Sequence, residues 1–366
     1  MRVLMISWEY PPHMVGGLGR HVADLAPQLA KQGIELTLLT PWSAVVNVAH
    51  ALWQEHGGYD LIHVHDWLLA DAAITLKHHY RRPLLATVHA SERGRRHGDI
   101  SSSESRAIDA IEWRLTYEAW RVIVCSQYMV AQLVNDFDLP HDKIDMVPNG
   151  VVIPPNPFAC TQDRQHYRMR YQPFDAPLLF AVGRLVHEKG WHVLIAALAH
   201  LRHTFAHTRL VLAGVGGYRD ELQWLARQYD VLSAVTFAGF ISDDDRNKLY
   251  ASADIAVFPS LYEPFGIVAL EAMALRCPVV VSNTGGLREV VQSNRTGVLV
   301  SPDDVDALVA GLTTTLSEPV QTNERIQLAF EDTRMTYGWQ TIAASTAAVY
   351  GRVIAEWQNS DWGHGG

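Results

Sequence analysis

The sequence predicts an α/β protein of two doubly wound parallel sheets, and three observations carry the prediction: length, apolar content, and a strand–helix alternation that runs twice. The chain has 366 residues, which at about 150 residues per domain implies two domains. Apolar residues make up 48% and charged residues 19%, so there is ample surface to bury and disorder is excluded. Apolar strands joined through amphipathic helices require crossover connections, hence parallel sheets with helices on both faces.

Residues 3–7 read as a strand and 18–32 as a helix with Val22, Leu25 and Leu29 on one face, stopped by Gly33. Further strands are expected at 35–39, 61–65, 84–89, 122–125 and 144–147, with helical stretches at 68–79 and 108–120. Pro148-Asn149-Gly150 closes this series, and Pro154-Pro155-Asn156-Pro157 is a stiff connection behind it. A second series has strands at 178–182, 210–213, 235–238, 255–258, 279–282 and 298–300 and helices around 191–202, 221–228, 247–251, 266–274 and 305–316. Domains are therefore expected over 1–150 and 151–339, with a ligand cleft at the carboxyl ends of their strands. Residues 339–357 place Ile342, Ala343, Thr346, Val349, Tyr350 and Val353 on one helical face, a core-packing pattern, and 359–366 are expected to fray.

Charge and cysteine usage remove several functions. Lys and Arg number 30 against 39 Asp and Glu, a net charge of −9, and neither side of residue 150 is basic (13 against 17 before it, 17 against 22 after). A nucleic-acid partner is not expected. Cys125, Cys160 and Cys277 are too widely spaced for a disulfide framework or zinc knuckle, which points to a reducing compartment. The opening apolar run breaks at Glu9 and Pro11-Pro12, too short for a signal-peptide core or a transmembrane segment, so a cytoplasmic protein is expected. One local reversal stands out. Residues 77–98 hold Lys77, Arg81, Arg82, Arg93, Arg95 and Arg96 against Glu92 alone, and part of this patch is expected to meet an anionic ligand, with a solvated face the reading for Arg81 and Arg82.

Chemistry concentrates at strand-to-helix turns. Gly16-Gly17-Leu18-Gly19 lets backbone N–H groups approach a phosphate, or merely permits tight packing. A dehydrogenase fingerprint is absent, because the spacing is not G-x-G-x-x-G and the second strand ends in Leu39-Thr40-Pro41 rather than an acid. Gly183-Arg184 and Lys189 put a guanidinium and an ammonium beside glycines, an anion site unless Lys189 simply pairs with Glu188. In Tyr262-Glu263-Pro264-Phe265-Gly266, Pro264 keeps Glu263 in a loop, whereas Glu271 lies more than a turn inside the following helix. Two carboxylates at different depths suit two sets of sugar hydroxyls. The bland alternatives are an exposed helix position for Glu271 and a charge favoured by the helix N-terminus for Glu263.

Gly16-Gly17-Leu18, His65-Asp66-Trp67, Thr87-Val88-His89, Gly183-Arg184 with Lys189, the pair Glu263/Glu271, and Thr284-Gly285-Gly286 occur in the order of the retaining nucleotide-sugar glycosyltransferases of family 4. The likeness runs over nearly the whole chain, and that group has the GT-B fold and includes the glycogen and starch synthases. The resemblance implies that Arg184 and Lys189 neutralise a donor diphosphate, with Gly16, Gly17 and Gly183 close by. Glu271 resembles the ribose-binding glutamate, and Glu263 the one that holds the transferred sugar. The backbone of Phe265, Gly266, Ile267 and Val268 would donate N–H groups, and the loop of Gly216 would lie by the nucleotide. His89 resembles the histidine beside the sugar, and Asp66 a residue of the acceptor and sugar region, although Asp66 also fits a helix N-cap. The last helix would cross back onto the first domain.

The implied function is transfer of a hexose, glucose first, from UDP- or ADP-glucose to a glucan or other hydroxyl acceptor with retention of configuration. An epimerase or hydrolase on the same fold, or a non-catalytic nucleotide-sugar binding protein, are the alternatives. No metal or other cofactor is expected for the chemistry: Asp243-Asp244-Asp245 follows Ser242 as a capping box, and Asp136 and Asp138 end a helix before Pro140. The chain departs from the glycogen and starch synthases at Met14, at Phe265, and in the short stretch 41–59.

Overall fold

A computed structural model describes residues 1–13, 16–40 and 45–364. Met14 and residues 41–44 of the short stretch lie outside the described residues. The chain divides into two units, Met1–Gly150 with Trp339–Gly366, and Val151–Gly338.

In the first unit β1 (Arg2–Ser7), α1 (Gly17–Lys31), β2 (Glu35–Leu39), α2 (Val45–Glu55), β3 (Leu61–His65), α3 (Ala70–Tyr80), β4 (Leu84–Val88), α4 (Glu92–Arg95), α5 (Ser103–Glu118), β5 (Arg121–Val124), α6 (Gln127–Phe137) and β6 (Ile144–Met146) follow in order. The strands pair in parallel in the order β2-β1-β3-β4-β5-β6. Every residue of β3 and β4 is buried, as a parallel sheet covered on both faces requires. The chain steps from β1 to β2 on one side and returns to β3 on the other. The order reverses between β1 and β3, the kind of point at whose carboxyl ends open α/β sheets carry their sites.

Two helices begin where apolar spacing does not place them. The helix expected at 108–120 spans Ser103–Glu118, because Ser102 Oγ accepts from Ser105 N at 3.0 Å and caps it early. The stretch expected at 68–79 opens as a 3₁₀ turn, Trp67–Leu69, before α3.

The second unit contains α7 (Thr161–Met169), β7 (Leu178–Val182), α8 (Trp191–Thr204), β8 (Arg209–Ala213), α9 (Arg219–Gln228), β9 (Val235–Gly239), α10 (Asp243–Ser252), β10 (Ile255–Phe258), α11 (Ile267–Ala274), β11 (Val279–Ser282), α12 (Leu287–Val290), β12 (Val298–Val300), α13 (Val305–Ser317) and α14 (Pro319–Thr336). Its parallel sheet runs β12-β11-β10-β7-β8-β9, so the order reverses between β10 and β7. Helices α7 and α14 bury mainly Tyr167 and, in α14, Thr322, Arg325, Ala329 and Thr333, too polar a set for apolar periodicity to reveal. Ser242 caps α10 as the sequence implies: Asp245 N donates to its Oγ at 3.1 Å, and that hydroxyl donates to Asp245 Oδ2 at 3.0 Å. Asp243 pairs with Arg246 and Asp244 with Lys248, while Asp138 ends α6 at φ 50°.

Helix α15 (Trp339–Gln358) belongs to the first unit. Its Trp339, Ile342, Ala343, Val349, Tyr350 and Val353 join Val3, Met5, Val22, Leu25 and Leu29 in one core. Where fraying is expected, a short α16 (Asp361–His364) forms, with Lys77 Nζ 5.1 Å from the Trp362 ring.

Candidate active site

At the β7 and β10 ends of the second sheet, the loop 183–190 carries Arg184 and Lys189, and the loop after β10 carries Glu263. Lys189 Nζ donates to Glu263 Oε2 at 2.7 Å, with side chains only 19% and 11% exposed. The alternative partner of Lys189, Glu188, instead accepts from Arg184 Nη2 at 3.1 Å. The Arg184 backbone is held by Trp191 Nε1, which donates to its carbonyl at 2.8 Å. Leu185 N donates to Val215 O and Tyr218 N to Leu185 O, so the Gly216 loop is stitched to the Arg184 loop. A Cβ at Gly216 would stand 2.2 Å from Leu185 O, which explains the glycine.

The loop bearing Glu263 is shaped by the Thr284-Gly285-Gly286 turn. Gly286 N donates to Glu263 O at 2.8 Å, and Thr284 Oγ1 donates to Leu261 O at 3.1 Å. Gly285 sits at φ 50°, and a Cβ there would fall 2.0 Å from Glu263 O. Helix α11 follows at once with Gly266 as its N-cap, so the first-turn N–H groups of Ile267 and Val268 lack intrahelical acceptors. Glu271 is not the exposed helix position that one reading offers: its carboxylate, 14% exposed, lies 3.2 Å from Arg246 Nη2. Thus Gly183, Arg184, Lys189, Gly216, Glu263, Phe265, Gly266, Ile267 and Val268 belong to the loops and the helix start at one sheet edge, and Glu271 lies a turn further into α11.

At the β1 and β3 ends of the first sheet, Glu9 Oε2 accepts from Gly16 N at 2.9 Å and Gly19 N at 3.2 Å. The Gly16-Gly17 turn thus already holds an anion at the N-terminus of α1, the place where a helix favours one. Asp66 does not act as the side-chain N-cap its position suggests. Its Oδ1 accepts instead from His89 N at 2.7 Å, while its own N donates to Thr87 O. Asp66 adopts φ 55°, ψ −177°, a region that costs an L residue of order 1–3 kcal/mol and collects at functional sites. Burial raises its pKa to about 7.

Beside it stand four imidazoles. His63 is bonded on both sides, Nδ1 to Tyr350 OH and Nε2 to Thr87 Oγ1, each at 2.7 Å. His65 Nδ1 lies 3.1 Å from His89 Nε2, and His21 meets His89 edge-on with ring centroids 4.7 Å apart. Burial lowers the pKa of His89 to about 4 and of His63 to about 3, and drives those of His21 and His65 down as well. All four are neutral near pH 7.

Four cations of the basic patch, Lys77, Arg93, Arg95 and Arg96, are ion-paired, and Arg82 lies 5.1 Å from the centre of the Trp357 ring. Arg93 makes a two-point pair with Asp109 (2.6 and 3.0 Å), Arg95 pairs with Glu92 and Glu112, and Arg96 with Glu92. Lys77 binds Glu118 at 2.6 Å. The acids of these four pairs lie mostly on α5, too distant in sequence for a local charge count to include. Three residues escape sequence reasoning altogether: Arg246, which orients Glu271; His21, one polar residue on an amphipathic helix; and Phe240, 84% exposed one residue beyond β9. An exposed aromatic at a strand's carboxyl end is the signal that would have found Phe240.

The fold and these edges define a glycosyltransferase of GT-B architecture. Residues 164–330 match the glycosyl transferases group 1, residues 43–153 match glycosyltransferase family 4, and residues 2–50 match the starch synthase catalytic domain. The chain belongs to the glycogen synthase-like group of GT-B glycosyltransferases. It is 36% identical to a glycogen synthase of Mycobacterium tuberculosis, covering 96% of this chain and 94% of that protein. It is 28% identical to a D-inositol 3-phosphate glycosyltransferase of Corynebacterium glutamicum, covering 97% of each. The structure of sucrose-phosphate synthase from Thermosynechococcus elongatus matches with a TM-score of 0.84 at 25% identity, over 97% of this chain and 99% of that one. Among the described residues no helix is long and apolar enough to cross a membrane.

Proposed function

We propose that the chain transfers glucose from UDP- or ADP-glucose to an α-glucan with retention of anomeric configuration, in the cytoplasm. The observation that carries this reading is the Lys189–Glu263 pair at the reversal point of the second sheet, flanked by Arg184 and the N-terminus of α11. The donor diphosphate is met by Arg184 and Lys189; an ammonium has three donors, so Lys189 can hold Glu263 and a phosphate oxygen together. Glu263 accepts from sugar hydroxyls, Glu271 from the ribose, and the first-turn N–H groups of α11 take sugar or phosphate oxygens. As the glycosidic bond to phosphate breaks, negative charge grows on the leaving diphosphate, and cations already in place stabilise it. The chemistry then requires no metal ion. Neutral His89, fixed through its backbone by Asp66, offers a hydrogen bond to the sugar without adding charge beside an oxocarbenium-like centre. The leaving phosphate takes the acceptor proton on the same face.

The glycogen synthase relative favours a glucan acceptor and a glucose donor. A phosphorylated acceptor has less support, since Arg93, Arg95 and Arg96 are matched by Asp109, Glu112 and Glu92. The test is release of nucleoside diphosphate from UDP- and ADP-glucose with and without α-glucan. Acceptor-dependent release supports the transferase, whereas equal release without acceptor would identify a hydrolase. A melting-temperature rise with one of these donors over GDP-sugars would identify the base by mass action.

A further inference from the structure

We propose that His21, His65 and His89 form a binding site for a transition-metal ion of the zinc class. They come from three elements, the second turn of α1, the last residue of β3 and the residue after β4, and converge at the carboxyl edge of the first sheet. One ring nitrogen from each lies within 4.8 Å of the others. His65 Nδ1 and His89 Nε2 are 3.1 Å apart, near the roughly 3.3 Å edge that Zn–N bonds of 2.0–2.1 Å set in a tetrahedron. Turning the His21 ring, now edge-on to His89, closes the third side. The Asp66 carboxyl holds the backbone of His89 at 2.7 Å, and the ring itself meets those of His65 and His21.

Simple packing leaves buried nitrogens unused. His65 Nε2 and His21 Nδ1 make no hydrogen bond of good geometry among the described residues, although Asn149 approaches His21. Orphaned buried polar atoms are costly, and a metal taken by His21 Nδ1 relieves one of them; His65 meets His89 through Nδ1, so its Nε2 gains a partner only if the ring turns over. Burial keeps all three imidazoles unprotonated near pH 7, the form a metal requires. Imidazole nitrogens suit Zn²⁺, Cu²⁺ or Ni²⁺ rather than Mg²⁺, and three of them leave a fourth position for water. A bound ion takes the ring of His89, so it would inhibit transfer; that consequence rests on the function proposed above, whereas metal binding itself does not.

The test is equilibrium dialysis of the chelator-stripped full chain against Zn²⁺, with the visible spectrum of its Co²⁺ form, in a Cys160→Ser background that removes the exposed thiol. The expected result is one Zn²⁺ per chain, intense tetrahedral Co²⁺ bands and a melting temperature raised by Zn²⁺. His21→Ala and His65→Ala should each weaken binding beyond the roughly 10–100-fold that loss of a supporting partner costs, while His200→Ala leaves it unchanged. Should His65→Ala fail to fold, His21→Ala, on the helix, decides. Absence of stoichiometric Zn²⁺, weak octahedral Co²⁺ bands, or unchanged binding in His21→Ala would overturn the proposal.

Discussion

Lys189 Nζ lies 2.7 Å from Glu263 Oε2, so the side chain assigned to the donor diphosphate and the one assigned to its sugar bind each other across 74 positions of sequence. The pair sets both groups in place before a donor arrives, and each loses its partner when the other is removed. Glu263→Gln and Lys189→Ala should each lower kcat/KM about 10²–10³-fold. The double variant should cost clearly less than the two single losses combined, because the residues share one interaction. Steady-state kinetics of the three variants measures this, and strict additivity would separate the two roles.

Arg246 touches Glu271, not the proposed sugar-holding group. Arg246→Gln should therefore raise the donor KM about tenfold, equivalent to about 1.4 kcal/mol, with kcat near wild type. A fall in kcat at unchanged KM would place Arg246 elsewhere in the reaction.

Gly285→Ala puts a Cβ at φ 50°, 2.0 Å from the Glu263 carbonyl. It should destabilise the second unit by more than about 1 kcal/mol from backbone strain alone and remove activity by displacing Glu263. Gly217→Ala, with nothing within 4 Å of its Cβ, is the control and should melt like wild type. Circular-dichroism melts with parallel assays check both.

The buried imidazoles set an acid limit. In the unfolded chain they protonate near 6.5; in the fold His89 does so only near 4 and His63 near 3. The unfolded state therefore binds more protons below about pH 6.5, and stability falls as pH drops through that window. Asp66 and Glu112 act in the opposite sense: burial raises their pKa values to about 7 and about 8. The fold then binds more protons above the ordinary carboxyl range, and their contribution is lost as pH rises through 7 to 8. The four buried imidazoles outnumber them as pH falls. Denaturant midpoints from pH 7 to 4 should fall, and His63→Gln should flatten the fall.

Phe240, exposed one residue beyond β9, follows Gly239, whose carbonyl accepts from Gly214 N after β8, and its ring is the face on which a nucleotide base is expected to stack. Phe240→Ala should weaken donor binding by about 1–3 kcal/mol, the range for base stacking on an aromatic, without affecting stability. Calorimetric titration with UDP and ADP reads this directly.

Strands were legible because a parallel strand buried on both faces is a continuous apolar run, as in Leu178–Val182 and Val279–Ser282. The polar helices α7 and α14 carry no such signal, and the cap at Ser102 moved the start of α5 by five residues from the spacing-based expectation of residue 108. Glycines of the site were visible as letters, but their reasons are tertiary: Gly285 faces Glu263 O and Gly216 faces Leu185 O. A count over 77–98 omits Asp109, Glu112 and Glu118, which pair with Arg93, Arg95 and Lys77 from α5 and lower the local excess to six cations against four acids. His21 was silent because its meaning comes from β3 and β4, not from its own helix.

Nucleoside diphosphate release from UDP- and ADP-glucose, measured with and without α-glucan for the wild type and Glu263→Gln, tests the central claim most directly. The predicted result is release with one of these donors that depends on glucan and falls at least about 10²-fold in Glu263→Gln, while that variant melts like wild type. Undiminished glucan-dependent release in Glu263→Gln, or no release by the wild type with either donor, would contradict it.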